Sequence, residues 1–151
     1  MLFRSLAARG LPCSALVLEV TESSIMSDPR RIGNVLAQMG EFGVGLSLDD
    51  FGTGYSSLAH LRSLPVGELK VDRSFVSRMC TNSMDAAIVQ ATIQLSHALG
   101  IRVVAEGVED ERTWEALKTL GCDLIQGYVF SRPVPGEELE RQLDRQMTAV
   151  R

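Results

Sequence analysis

The chain has 151 residues, with 15 basic and 19 acidic side chains and a hydrophobic content of 45%. This balance excludes a disordered polymer and predicts one globular domain over residues 1–151. The net charge of −4 argues against sequence-independent adhesion to DNA or RNA polymers. No apolar run reaches the roughly 18 residues of a membrane span, and Arg4 and Arg9 interrupt the opening MLFRSLAARG before a signal-type apolar stretch can form. Cys13, Cys80 and Cys122 are odd in number and lack metal-type spacing, which predicts reduced, structurally incidental thiols in a cytoplasmic protein.

In chain order, Leu2, Phe3 and Leu6 form the apolar side of an opening helix that exits through Gly10-Leu11-Pro12. A first strand is predicted at 16–20 (LVLEV). Ser27 or Asp28 then caps a helix with Pro29 at its first position. Ile32, Val35, Leu36 and Met39 fall on its inner face, and Gly40 ends it. A second strand follows at 44–49 (VGLSLD), then a short helix marked by Leu58, Leu61 and Leu64 and stopped by Pro65, then a third strand at 69–72 (LKVD). Asp85 opens a helix with Ile88, Ala91, Thr92, Leu95 and Leu99 on one side, ending at Gly100 before a strand at 102–106 (RVVAE). A further helix from about Asp110 turns Trp114, Leu117 and Leu120 inward and ends at Gly121. The last strand is predicted at 124–130 (LIQGYVF), and Leu139, Leu143 and Met147 mark a C-terminal helix.

Strands that alternate with helices imply parallel pairing and an α/β fold, either a doubly wound sheet or part of a barrel. The strand phase favours the barrel. Val44, Leu46 and Leu48 point one way, while Gly45, Ser47 and Asp49 point the other, and polar residues on that second face suit a barrel interior. Glu19, Lys70 with Asp72, Glu106 and Gln126 repeat the phase near the C-terminal ends of their strands, where reacting groups converge in (β/α)₈ barrels.

The chemistry at those ends is acidic. Glu19, Asp49, Asp50, Asp72 and Glu106, with Glu22 and Glu109 one turn further out, would repel one another unless cations sat among them. All-oxygen donors without histidine or cysteine point to hard ions, Mg²⁺ or Mn²⁺, rather than zinc. An adjacent aspartate pair can serve two metals in in-line phosphoester hydrolysis, and Lys70 can stabilise phosphate charge or orient the attacking water. The glycine-rich 51–57 stretch that follows (FGTGYSS) suits a loop that closes over a ligand. Plainer roles compete at some positions: Glu22, and Glu109 with Asp110, can cap the helices they precede, and Trp114 fits a packing role.

The segments LVLEVTES (16–23), LSLDDFGTGYSSL (46–58), LKVDRSFV (69–76), VVAEGVE (103–109) and IQGYVFSRPVP (125–135) resemble, in order, the signature segments of EAL-domain cyclic di-GMP phosphodiesterases. The resemblance implies a TIM-type barrel and metal-dependent hydrolysis of cyclic di-GMP to linear pGpG. It assigns Glu19, Asp49, Asp50 and Glu106 to two Mg²⁺ or Mn²⁺ ions, with Glu106 also a candidate general base. Lys70 takes the place beside the hydrolytic water, Gln126 positions water or ligand, and Asp72 binds substrate. Glu22 anchors the loop after the aspartates, and Glu109 is a supporting residue.

The family's Glu-Ala-Leu segment on an early strand, and an asparagine ligand before Glu19, have no counterpart at the matching places. A complete barrel takes about 250 residues, so the expectation is an N-terminally truncated barrel of about five parallel strands, with the first and last as edges. Weak or absent activity is expected of such a chain alone. The alternative is a non-catalytic module that binds cyclic di-GMP or a protein partner, as a homodimer or completed by another chain.

Overall fold

A computed structural model describes residues 2–52, 61 and 64–149. Its frame is one sheet of β1 (Val17–Thr21), β2 (Gly45–Phe51), β3 (Glu68–Val71), β4 (Arg102–Glu106) and β5 (Leu124–Gln126). The strands lie side by side in chain order and every neighbouring pair is parallel. Among the described residues, β1 and β5 are the sheet edges, as expected from five strands. Helices Glu22–Ser27 and Pro29–Glu41 follow β1, Arg73–Val76 and Ser83–Ala98 follow β3, Glu111–Thr119 follows β4, and Gly136–Ala149 follows β5. The helix Leu2–Ala7 precedes β1. No helix among the described residues is long and apolar enough to cross a membrane.

The strand alternation decides which face the helices cover. Leu46, Leu48, Leu69, Val71, Val103 and Ala105 are buried on one face against Ile25, Leu36, Val76, Val89, Ile93 and Leu117 from the helices. Each fully buried side chain of this size stabilises by ~1.5–3 kcal/mol, so this layer carries the fold. The opposite phase holds Glu19, Ser47, Lys70 and Glu106, a polar inner face of the barrel kind.

Local chemistry fixes the helix ends, with some differences from expectation. Asp28 accepts from the Arg31 amide and caps Pro29–Glu41, which runs through Gly40; Gly43, at φ +81°, makes the left-handed exit. Val35 is exposed, so the inner stripe of that helix is Ile32, Leu36 and Met39. Asn82, not Asp85, caps the Ser83–Ala98 helix by accepting from the Met84 and Asp85 amides. Its buried side is Asp85, Val89, Thr92, Ile93 and Ser96, rotated from the Ile88–Ala91 side, and Asp85 pairs with Arg78 at 3.0 Å. Asp110 caps Glu111–Thr119 through the Thr113 amide, with Leu117 fully buried and Trp114 half-buried against Phe130. The three cysteines are free thiols. Leu139 and Leu143 of the last helix are exposed. Leu58 and most of the short helix expected around it lie outside the described residues; Leu61 is buried in the core.

β5 ends at Gln126, short of the expected 130. The chain turns there because Gly127 passes against the backbone of Val108, where an added Cβ would collide with the Val108 peptide. Val108 N donates to Gln126 O, and Val129 N donates to Val108 O. Residues 127–130 are thus pinned to the turn after β4 rather than extended along the sheet.

Candidate active site

The C-terminal ends of β1 to β4 bring four charged side chains together. Lys70 Nζ lies 2.9 Å from Glu19 Oε1, 3.3 Å from Asp49 Oδ1 and 2.5 Å from Glu106 Oε1. Its side chain is only 6% exposed, so one buried ammonium joins carboxylates from three strands. Burial alone would lower the Lys70 pKa. Hydrogen bonds to Glu106 and Glu19 and the charges of Glu106 and Asp49 outweigh that and raise it well above the ordinary lysine value. Lys70 is therefore a fixed positive charge.

The aspartate pair owes its placement to an irregularity in the sheet. In a regular strand Asp49 and Asp50 would point to opposite faces. Here the register between β2 and β3 shifts between Leu48 and Phe51, and Asp50 takes φ +57°, a conformation non-glycine residues adopt at a cost. Its amide donates to Asp49 Oδ1 at 3.1 Å. As a result Asp49, Asp50 and Glu106 each offer a carboxylate oxygen, all within 4.8 Å of one another. Burial, then Asp49 and Asp72, push the Asp50 pKa up, and Lys70 opposes them. Such a set of oxygen donors fits a hard divalent cation. Glu19, half exposed, sits on Lys70 rather than within this group of three.

The other candidate residues divide. Gln126 is the register partner of Glu106 and lines the same cleft. Asp72 lies close enough to raise the Asp50 pKa, but its carboxylate also caps the Arg73–Val76 helix, accepting from the Ser74 amide at 2.9 Å and from the Ser74 hydroxyl. Glu22 is 3% exposed at the start of its helix, while the cap itself is Thr21, which accepts from Ser24 N. Glu109 does not cap either: its Oε1 accepts from Arg73 Nη2 at 2.7 Å.

A cleft of about 540 Å³ opens beside Glu106 and Gln126. Arg73, Tyr128 and Arg132 line it, and none of them stood out in the sequence. The Arg132 guanidinium lies 5.0 Å from the Tyr128 ring centre. Their signal was weak because Arg73 opens a short helix after β3, while Tyr128 and Arg132 lie beyond β5 on a path that the periodicity does not fix.

The chain matches the EAL domain family model over residues 1–133. It is 48% identical over 135 residues to the bifunctional diguanylate cyclase/cyclic di-GMP phosphodiesterase MucR of Pseudomonas aeruginosa, covering 89% of this chain and 20% of that protein. The chain thus spans about a fifth of that relative's length. Among solved structures, a MucR phosphodiesterase in complex with c-di-GMP superposes with a TM-score of 0.87 at 47% identity, covering 91% of this chain and 56% of that one. The manganese/cyclic di-GMP complex of Klebsiella pneumoniae BlrP1 superposes with a TM-score of 0.81 at 38% identity, covering 87% and 34%. A Glu-Ala-Leu tripeptide does occur at 115–117, but on the helix after β4, where Glu115 pairs with Lys118 at 3.6 Å and takes no part in the cluster. The family is carried instead by the ordered strand-end segments, and the chain, an α/β barrel-type sheet with its acidic cluster at the strand C-termini, belongs to the EAL domain family.

Proposed function

We propose that this chain supplies the metal-binding and hydrolytic face of a cyclic di-GMP phosphodiesterase that opens the cyclic dinucleotide to linear pGpG. One observation carries the reading: Asp49, Asp50 and Glu106 converge within 4.8 Å of one another beside the buried Lys70 ammonium, at the mouth of a barrel-type sheet. Asp49, Asp50 and Glu106 would hold Mg²⁺ or Mn²⁺, with Glu19 completing a two-metal arrangement. Bound there, a divalent cation neutralises phosphodiester charge and acidifies an attacking water.

The chain's own groups do the rest. Lys70 carries three N–H donors and orients a water or a phosphate oxygen against the carboxylates. Glu106, with its proton-accepting oxygens at the same place, serves as general base. Gln126 holds the ligand or water beside Glu106, and Asp72 contacts the substrate from the head of its helix. Glu22, buried at the end of β1, anchors the loop that follows the aspartates, and Glu109 supports the rim. A second copy of the chain or another protein is the partner proposed beside cyclic di-GMP.

The test is titration of the 151-residue polypeptide with cyclic di-GMP in Mg²⁺ or Mn²⁺, with pGpG followed by chromatography. Metal-dependent binding that Asp49→Asn abolishes is expected, with slow turnover at most from these residues alone. Absence of binding with either metal overturns the reading. A second reading, a non-catalytic cyclic di-GMP-binding module, is favoured by the way the Lys70 ammonium already engages an oxygen of each of three carboxylates. The same titration separates the two, since binding with no pGpG at any metal concentration selects it.

A further inference from the structure

Arg73 stands outside the acidic cluster, yet its placement is built. Its stem lies across Gly107, the residue directly after Glu106, where any Cβ would collide with Arg73 Cβ, Cγ and Cδ. Gly107 has φ +67°, so backbone conformation and the space above it both call for glycine here. From that bed the guanidinium reaches Glu109, whose Oε1 accepts from Nη2 at 2.7 Å. Two unrelated features of the turn after β4, a missing side chain and a carboxylate two residues on, therefore aim one cation along the edge of the cleft that Glu106 and Gln126 line.

The guanidinium has five N–H donors in a fixed fork, and Glu109 engages one nitrogen of it. An exposed ion pair of this kind contributes little stability and does not by itself explain so constrained a stem. The remaining donors suit a ligand group with paired anionic oxygens, and Arg is the side chain that recognises phosphate in this bidentate way. A cyclic dinucleotide has two phosphodiesters, and the carboxylate cluster serves the one being cut.

We propose that Arg73, laid over Gly107 and aimed by Glu109, binds the phosphodiester of the cyclic dinucleotide that is not hydrolysed. The inference rests on the phosphodiesterase reading, which supplies the two-phosphate ligand. Arg73 is then a binding residue and Glu109 its positioning residue.

The experiment measures cyclic di-GMP affinity by calorimetry in Mg²⁺ and in Mn²⁺ for the wild-type chain, Arg73→Ala and Arg73→Lys, at two salt concentrations, with thermal unfolding of each. Arg73→Ala is expected to bind ~10-fold or more weakly, the scale of a lost hydrogen bond to a charged group. Its salt dependence should be flatter than wild type. Arg73→Lys should recover part of the affinity through charge alone, and all three should unfold at the same temperature within a few degrees. Wild-type binding with Arg73→Ala unchanged overturns this inference and leaves the phosphodiesterase reading standing. Equal loss in Arg73→Ala and Arg73→Lys, with lowered unfolding temperatures and an unchanged salt dependence, assigns Arg73 a structural role and also overturns it. No wild-type binding in either metal overturns both.

Discussion

The two ends of the sheet handle charge in opposite ways. At the N-terminal ends of the strands each charged group finds its own partner: Arg102 meets Glu68 at 3.5 Å, and Asp123 accepts from His97 at 2.9 Å and from the Val103 amide at 2.8 Å. At the C-terminal ends one ammonium serves three carboxylates, and Asp50 is held at φ +57° beside two other acids. The first arrangement only ties strands and helices together. The second is under-neutralised and strained, and such a state persists only where the surrounding structure enforces it. Stability at one end and chemistry at the other is the division expected of a barrel.

The largest test of that contrast removes the shared cation. Lys70→Met leaves Glu19, Asp49 and Glu106 facing one another, and should destabilise the chain by about 3 kcal/mol in urea denaturation without divalent metal. Added Mn²⁺ should restore part of the loss, because an ion that binds only the folded state stabilises it. If Mn²⁺ stabilises neither the wild type nor Lys70→Met, the cluster is not a cation site. A smaller effect of opposite sign comes from Asp50→Gly. Glycine accepts the left-handed backbone and removes one acid from the cluster, so the metal-free chain should gain about 1 kcal/mol while Mn²⁺ affinity, read by calorimetry, falls. A variant that lost both stability and affinity would show that the strain has no part in the site.

The smallest effect belongs to the other end. Burial would raise the Asp123 pKa, but the Val103 amide and His97 outweigh it and hold the carboxyl below its ordinary value of 3.8. Because the folded-state pKa is depressed, the stabilisation is fully present above the unfolded value. It is lost as pH falls through the lower folded one. Between pH 5 and pH 2 wild type should therefore lose more stability than Asp123→Asn, by less than about 1 kcal/mol for so exposed a group. Parallel acid limbs for the two proteins would show that this pair adds nothing.

Period-two alternation made the strand phase legible as far as it holds: Leu46 and Leu48 went to the helix side and Ser47 and Asp49 to the inner face. That was enough to place Glu19, Asp49, Lys70 and Glu106 together. What alternation could not supply was the break in its own rule. The register shift at Asp49-Asp50 depends on pairing with β3, a non-local contact. The cap at Asn82 was hidden for a local reason, since Asp85 three residues on offers a competing capping side chain. Arg73 escaped notice because its meaning lies in Gly107 and Glu109, more than thirty residues away. The true length of β5 was equally invisible, since LIQGYVF reads as one continuous strand until the Val108 backbone intervenes.

That last contact has a mechanical consequence. With Gly127 wedged against Val108 and a hydrogen bond on either side of the junction, the segments that carry Glu106 and Gln126 behave as one plate rather than two independent flaps. The turn that carries Tyr128 is therefore tied, through backbone alone, to the turn that follows Glu106.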